Sequence, residues 1–209
     1  MPGRADLQRK YWDAIYQPSD YAYGTEPSSF LRQQAFRLRP GMEALVLGDG
    51  EGRNGVWLAR QGLIVVSADL SRNAHRKAVR LARQHRVRLT FECCDFLERR
   101  WRSGRFDLVA AIYLHLPERE RRMLHHRMAD WLKQGGWLLL EAFHSRQAAR
   151  SGQPEDAELL YTEDIIRQDF HRLEIKELAV DVVTLNEGTM HQGAADVLHL
   201  VARRPPASS

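Results

Sequence analysis

One stretch of this chain is built for binding more than for packing. In Val46-Leu47-Gly48-Asp49-Gly50-Glu51-Gly52-Arg53-Asn54-Gly55, glycines alternate with polar residues between an apolar run and a helical one. Glycine lets a chain turn tightly and lets backbone N–H groups approach a ligand closely. Asp69 follows Gly52 by 17 residues, and Asp95 sits in Cys94-Asp95-Phe96. A carboxylate at the end of the strand after such a loop can accept two hydrogen bonds from ribose hydroxyls, and it repels a 2′-phosphate. Phe96 beside Asp95 offers an apolar face for an adenine.

Side chains able to take or hold a proton cluster near the ends of apolar runs. They are Tyr113, His115, Glu141, His144 and His191. His115 follows one run and His144 another, so both face the expected pocket. A neutral imidazole could accept a proton or hydrogen-bond an acceptor. The polar segment 145–160 has no clear periodicity and is expected to be an acceptor loop.

These residues need elements to place them. Ala44–Leu47, Leu63–Ala68, Val87–Cys93, Phe106–Ala111 and Trp137–Phe143 are short apolar runs that read as buried strands. Helices are expected over Arg53–Gln61, after Ser71, from Pro117 to the Gly135-Gly136 stop, and after Thr162. Two further strands are expected near 174–183 and 195–202. The last follows with no helix between, so it runs antiparallel after a long hairpin. The expected fold is α/β: a Rossmann-like, mostly parallel seven-stranded sheet with helices on both faces. About 40 residues before it read as helical and carry Tyr11, Trp12, Tyr16, Tyr21 and Tyr23, either an anchoring cluster or a lid over a ligand. We expect a single domain over 1–209, with a helical lid at 1–40, a core at 41–204 and a flexible tail at 205–209.

The glycine loop can be parsed in two ways. Gly50 to Gly55 matches G-x-G-x-x-G, a dinucleotide fingerprint that is weak alone. Gly48-x-Gly50-x-Gly52 is the loop of S-adenosylmethionine enzymes. The strand ends directly before Gly48, Asp95-Phe96 closes the third strand, and no Tyr-x-x-x-Lys pair is present, all of which favour the second.

The chain resembles class I S-adenosylmethionine-dependent methyltransferases, in the branch of tellurite-resistance and thiopurine S-methyltransferase-like enzymes. The resemblance rests on Tyr11-Trp12-Asp13 with Tyr23-Gly24-Thr25-Glu26-Pro27, Gly48 to Asn54, Asp69-Leu70-Ser71 and Cys94-Asp95-Phe96. It continues through Phe106-Asp107-Leu108-Val109, His115-Leu116-Pro117, Leu132 to Gly136 and His191-Gln192-Gly193. It implies that Gly48, Gly50 and Gly52 hug the methionine part of the cofactor, with Asn54 in the same loop. Arg53 would pair with the cofactor's carboxylate. Asp69 would hold the ribose beside Leu70, Asp95 would meet the adenine amino group and Phe96 its ring. The Ile112 backbone would touch the cofactor, and Trp12 and Tyr23 would close over it. It makes His191 the first catalytic candidate, ahead of His144, which is the second by its place after the fifth run, and it favours a thiol or chalcogen acceptor.

The chain departs from that family in three places. Asp49 stands where relatives often have Cys, and Val46 where they often have an acid. Asp49 could replace that acid near the cofactor's ammonium and sulfonium. Gln192 stands where relatives often place Arg.

Composition narrows the rest. The chain has 209 residues, 44% hydrophobic and 28% charged, which suits a soluble globular protein. No apolar run is long enough to span a membrane, and the start lacks the apolar stretch of a secretory signal. Cys93 and Cys94 are adjacent and cannot staple a fold, so a reducing cytoplasm is the expected compartment. No metal site is expected. The net charge of +4 comes with 27 Arg against 4 Lys. Arg72, Arg76, Arg80 and Arg83 share one helical face, read as a solvated face more readily than as a nucleic-acid patch. The expected partner is a small-molecule methyl acceptor, on a monomer or homodimer. The alternatives are an RNA or DNA methyltransferase using the basic helix at 71–88 and a dinucleotide-dependent reductase.

Overall fold

The computed structural model describes residues 3–150 and 156–206. They divide into two compact units, Met1–Arg100 with Asn186–Gln192, and Trp101–Leu185 with Gly193–Ser209.

The first unit begins with helix α1 (Arg4–Ile15) and the short α2 (Ser29–Gln33), which is followed by a 3₁₀ turn at Gln34–Arg37. Strand β1 (Glu43–Leu47) leads through the glycine loop to α3 (Arg53–Arg60). Then come β2 (Ile64–Asp69), α4 (Arg72–Gln84) and β3 (Thr90–Cys93). β1 and β2 pair in parallel, as do β2 and β3. Ser71 caps α4 by accepting from the Ala74 N–H. Ala74, Ala78, Leu81 and Ala82 form the buried face of α4, and Arg72, Arg76, Arg80 and Arg83 are exposed. Expectation and structure differ at two points. Residues 16–28 are not helical, because Pro18, Gly24 and Pro27 interrupt any helix there. β3 starts at Thr90 rather than Val87, since the end of α4 turns through Arg86 (φ +57°) and the Val87 N–H bonds back to Ala82.

The second unit holds β4 (Phe106–Ile112), α5 (Glu118–Trp131), β5 (Leu132–Phe143), α6 (Glu163–Asp169), and most of β6 (Glu174–Glu187) and β7 (His191–Arg203). β4 and β5 are parallel, and β5 and β7 antiparallel. Gly135-Gly136 does not stop α5. The helix ends at Trp131, because Leu132 is already extended and fully buried opposite Phe106. The glycines lie where the register shifts, between the Phe106–Leu132 and Leu108–Trp137 pairs. The last two strands are longer than expected, and only Gly188–Met190 turns between them.

The strand order is β3-β2-β1-β4-β5-β7-β6. This is the expected Rossmann-like sheet, mostly parallel with an antiparallel last strand. Among the described residues, no helix is long and apolar enough to cross a membrane. Residues 151–155 of the anticipated acceptor loop and 207–209 of the anticipated tail lie outside the described residues.

Candidate functional site

The glycine loop starts where β1 stops. The Gly48 N–H bonds to Ala68 O at 2.9 Å, so the turn begins at Gly48 and not at Gly50. Gly52 caps α3 with φ +88°, and a side chain there would meet Ala78 Cβ at 2.7 Å. Only glycine supplies both the left-handed backbone and that close approach to α4.

Asp69, the last residue of β2, faces the loop. Its Oδ2 accepts from the Gly50 N–H at 2.9 Å, and its Oδ1 accepts from the Ser71 N–H at 2.8 Å. The carboxylate therefore braces the loop and the start of α4 while keeping part of its surface open. Burial pushes its carboxyl up to about 6 against the pull of these bonds. Leu70 is buried beside it.

Asp49 departs from the expectation. It is buried beneath the loop, with Oδ2 accepting from Ser67 Oγ at 2.6 Å and Oδ1 from the Gly55 N–H at 3.1 Å. These partners make it a brace between loop, β2 and α3, in place of the expected partner for a positive ligand. Burial pushes its carboxyl up to about 7.

Arg53 is also committed. Its Nη2 lies 2.8 Å from Glu187 Oε2, at the tip of the β6–β7 turn. His191 Nδ1 lies 3.1 Å from the same oxygen. Burial alone would raise the Glu187 carboxyl, but the His191 and Arg53 contacts outweigh it and hold it low. Tyr23 packs edge-on against His191, ring centroids 4.5 Å apart. The backbone makes this contact possible: a side chain on Gly188 would strike Ala22 O at 2.3 Å. Asn54 accepts from the Ser28 N–H at 3.0 Å and so fastens the N-terminal segment.

Trp12 stacks on Tyr16 at 5.7 Å, and both join Ala22, Ala74 and Tyr23 in one apolar cluster. Burial pushes the Tyr23 phenol up to about 12. Asp95 accepts from the Leu97 N–H at 2.9 Å and pairs with Arg4 Nη2 at 2.6 Å. Phe96 is buried next to it.

Sequence reasoning missed Glu51 and Lys77. Glu51 is 3% exposed and pairs with Lys77 Nζ at 2.6 Å, while Lys77 also donates to Asp20 O at 2.6 Å. The available signal was a single lysine in a stretch whose other cations are arginines. Asp13 was missed as well. It accepts from Ser71 Oγ at 2.6 Å and from the Asn73 N–H at 3.1 Å, tying α1 to the start of α4.

In the second unit, Ile112 ends β4 and is buried. His144, directly after β5, has both ring nitrogens engaged. Nδ1 accepts from the Arg146 N–H at 3.2 Å, leaving Nε2–H to donate to Glu163 Oε2 at 3.0 Å. To take a proton at Nδ1 it must first release Arg146. His115 Nδ1 is 2.8 Å from Leu159 O, and its ring stacks on Phe143 at 5.4 Å. Tyr113 and Glu141 share a hydrogen bond at 3.1 Å. The structure places His191 in the first unit and His144 in the second.

Residues 44–136 match the family model described as a methyltransferase domain. Methyltransferase GfsG from Streptomyces halstedii is 29% identical over 137 residues, 57% of this chain and 49% of GfsG. The chain thus matches about half the length of that relative. Among solved structures, magnesium protoporphyrin IX methyltransferase (ChlM) from Synechocystis PCC 6803 with bound SAM has a TM-score of 0.71 at 17% identity. It covers 98% of both chains. TehB from Haemophilus influenzae has a TM-score of 0.70 at 16% identity, covering 94% of this chain and 67% of TehB. The fold is that of these solved structures, and the matched segment contains the glycine loop, Asp69, Asp95 and the whole of β4.

Proposed function

We propose that the chain is an S-adenosylmethionine-dependent methyltransferase acting on a small-molecule acceptor. The observation that carries this reading is the Gly48–Gly52 loop, opened directly at the end of β1 and braced from Gly50 N–H to the Asp69 carboxylate. The match of residues 44–136 to a methyltransferase domain supports it.

The residues fit such a cofactor. The glycines let its methionine part lie against backbone, Asp69 keeps acceptor capacity for ribose hydroxyls, and Phe96 and Leu70 offer apolar surface. Asp95 would serve the adenine amino group, and Ile112 the cofactor through its backbone. Arg53 can meet the cofactor's carboxylate only by sharing itself with Glu187. Trp12 and Tyr23 belong to the N-terminal segment that would act as the lid. The bound cofactor supplies an electrophilic methyl group. The chain's own part is to align the acceptor and exclude water. His191, buried and bonded to Glu187, is kept as the candidate that meets the acceptor from this side.

The tellurite-type branch, to which TehB adds a likeness of fold, would favour a thiol or chalcogen acceptor, whereas the surroundings of Tyr113 favour a hydroxyl or amine. One observation speaks for a second reading, nucleic-acid methylation: the exposed row Arg72, Arg76, Arg80 and Arg83. Steeply salt-dependent RNA or DNA binding would be its signature.

The test is calorimetric titration with S-adenosylhomocysteine, with NAD(H) as control. Micromolar binding of S-adenosylhomocysteine alone is expected. Binding of NAD(H) instead would restore the dinucleotide parsing.

A further inference from the structure

Tyr113 follows β4 with φ +54°, a left-handed backbone that is strained for a non-glycine residue. The neighbourhood holds it there. Its N–H donates to Glu141 O at 2.7 Å, the Tyr161 hydroxyl donates to Leu114 O at 3.0 Å, and His115 Nδ1 meets Leu159 O. The turn delivers the Tyr113 hydroxyl to Glu141 Oε1 at 3.1 Å. Glu141 is 2% exposed. On its other side His199 Nε2 lies 3.1 Å from the same oxygen, and His199 Nδ1 lies 3.4 Å from Asp181 Oδ2. Glu141 and His199 are direct cross-strand partners on β5 and β7.

A polar row thus runs from a strained tyrosine to Asp181, whose side chain is 57% exposed. It lies beside the apolar cluster of Phe143, Leu160, Leu185, Ala195 and Val197, against which Tyr113 itself packs. Burying a carboxylate there costs stability unless it is paired, and Tyr113 and His199 supply partners for Glu141. The row's Tyr113–Glu141 end sits at the carboxyl ends of β4 and β5, the side on which open α/β sheets bind ligands. A phenol that donates to a carboxylate still carries lone pairs able to accept another proton.

We infer that Tyr113 is a catalytic residue, the group that receives the acceptor's proton, and that the acceptor reacts through a hydroxyl oxygen or an amine nitrogen. This rests on the methyl-transfer reading. Thiolates already carry the charge they need, whereas hydroxyls and amines must shed a proton during transfer. The acceptor atom gains the methyl group while its bond to hydrogen breaks. That proton goes to the Tyr113 oxygen as the phenol's own proton passes to Glu141. The methyl–sulfur bond breaks with its electron pair on sulfur. Glu141 returns the proton to water after product leaves. His199 is a positioning residue that holds the carboxylate toward Tyr113.

The experiment uses the full chain with S-adenosylmethionine and a panel of catechol, simple phenols, primary amines and small thiols, comparing wild type with Tyr113→Phe and Glu141→Gln. S-adenosylhomocysteine affinity, measured first, tests the underlying reading separately, and it should stay within about twofold in both variants. The expected result is product from a hydroxyl or amine, with kcat lowered roughly 10²- to 10³-fold by Tyr113→Phe and KM within about threefold. An unchanged kcat, product from thiols alone, or no product from a protein that binds S-adenosylhomocysteine overturns the assignment. Loss of S-adenosylhomocysteine binding by wild type overturns the methyltransferase reading instead.

Discussion

Three acids in the first unit do different work, and their neighbours decide which. Asp69 touches Gly50 and Ser71 and stays partly open. Replacing it with Ala should lower S-adenosylhomocysteine affinity at least about tenfold by calorimetry, since charged hydrogen bonds contribute about 1.5–3 kcal/mol each. Because burial raises its carboxyl to about 6, wild-type affinity should fall as pH drops through that value and the acceptor form is lost. Asp49 instead braces the loop from within. Its carboxyl is raised from an ordinary 3.8 to about 7, so the folded state binds the proton more tightly than the unfolded one. That preference favours folding at low pH and is lost as pH rises through about 7. Asp49→Asn keeps both hydrogen-bond partners without the charge. It should shrink the difference in melting temperature between pH 6 and pH 8, as scanning fluorimetry would show. Glu187 is held low by Arg53 and His191 and stays ionised over the same range.

At the scale of elements, the N-terminal segment is held by polar clasps as much as by its aromatics. Asp13 adds a second cap to α4, and Asp13→Ala should cost about 1 kcal/mol in urea unfolding. The Glu51–Lys77 pair is buried between the glycine loop and α4. Lys77→Met leaves the buried Glu51 without its cation and should cost about 3–5 kcal/mol, much of it recovered by adding Glu51→Gln. The second unit has a counterpart where α6 meets α5. Asp169 accepts from Arg121 Nε at 3.0 Å and lies 2.8 Å from His125 Nδ1, with all three buried. Asp169→Ala should be comparably destabilising, whereas Glu118→Ala, which removes only the exposed partner of Arg122, should change little.

For the whole molecule, the cofactor should act as a stabiliser. At about 100 times its dissociation constant, S-adenosylhomocysteine should add about 2.7 kcal/mol, a rise of roughly 5–10 °C in melting temperature for a chain of this size. NAD(H) at the same concentration should leave the transition where it was. The charge of the chain argues in the same direction. The net charge is only +4, and the exposed arginines of α4 are partly occupied by their own neighbours. Arg80 donates to Tyr21 and Ser19, and Arg76 to Asn73.

By itself the sequence determined what local patterning can specify. Short apolar runs, glycine and proline punctuation and the Ser71 and Thr162 caps predict the order of strands and helices, the antiparallel last strand and the place of the glycine loop, because these signals act over a few residues. It also singled out Asp69 by its spacing to that loop, and the structure sets its carboxylate against the Gly50 N–H. Tertiary structure decided the rest. Whether Asp49 faces a ligand or Ser67, whether Arg53 is open or held by Glu187 134 positions away, and whether Lys77 is solvated or buried on Glu51 depend on contacts across long loops. The end of α5 at Trp131, ahead of its glycines, was set by the burial of Leu132 against Phe106. The row from Tyr113 to Asp181 joins residues on four segments, and only strand register brings them within hydrogen-bond distance.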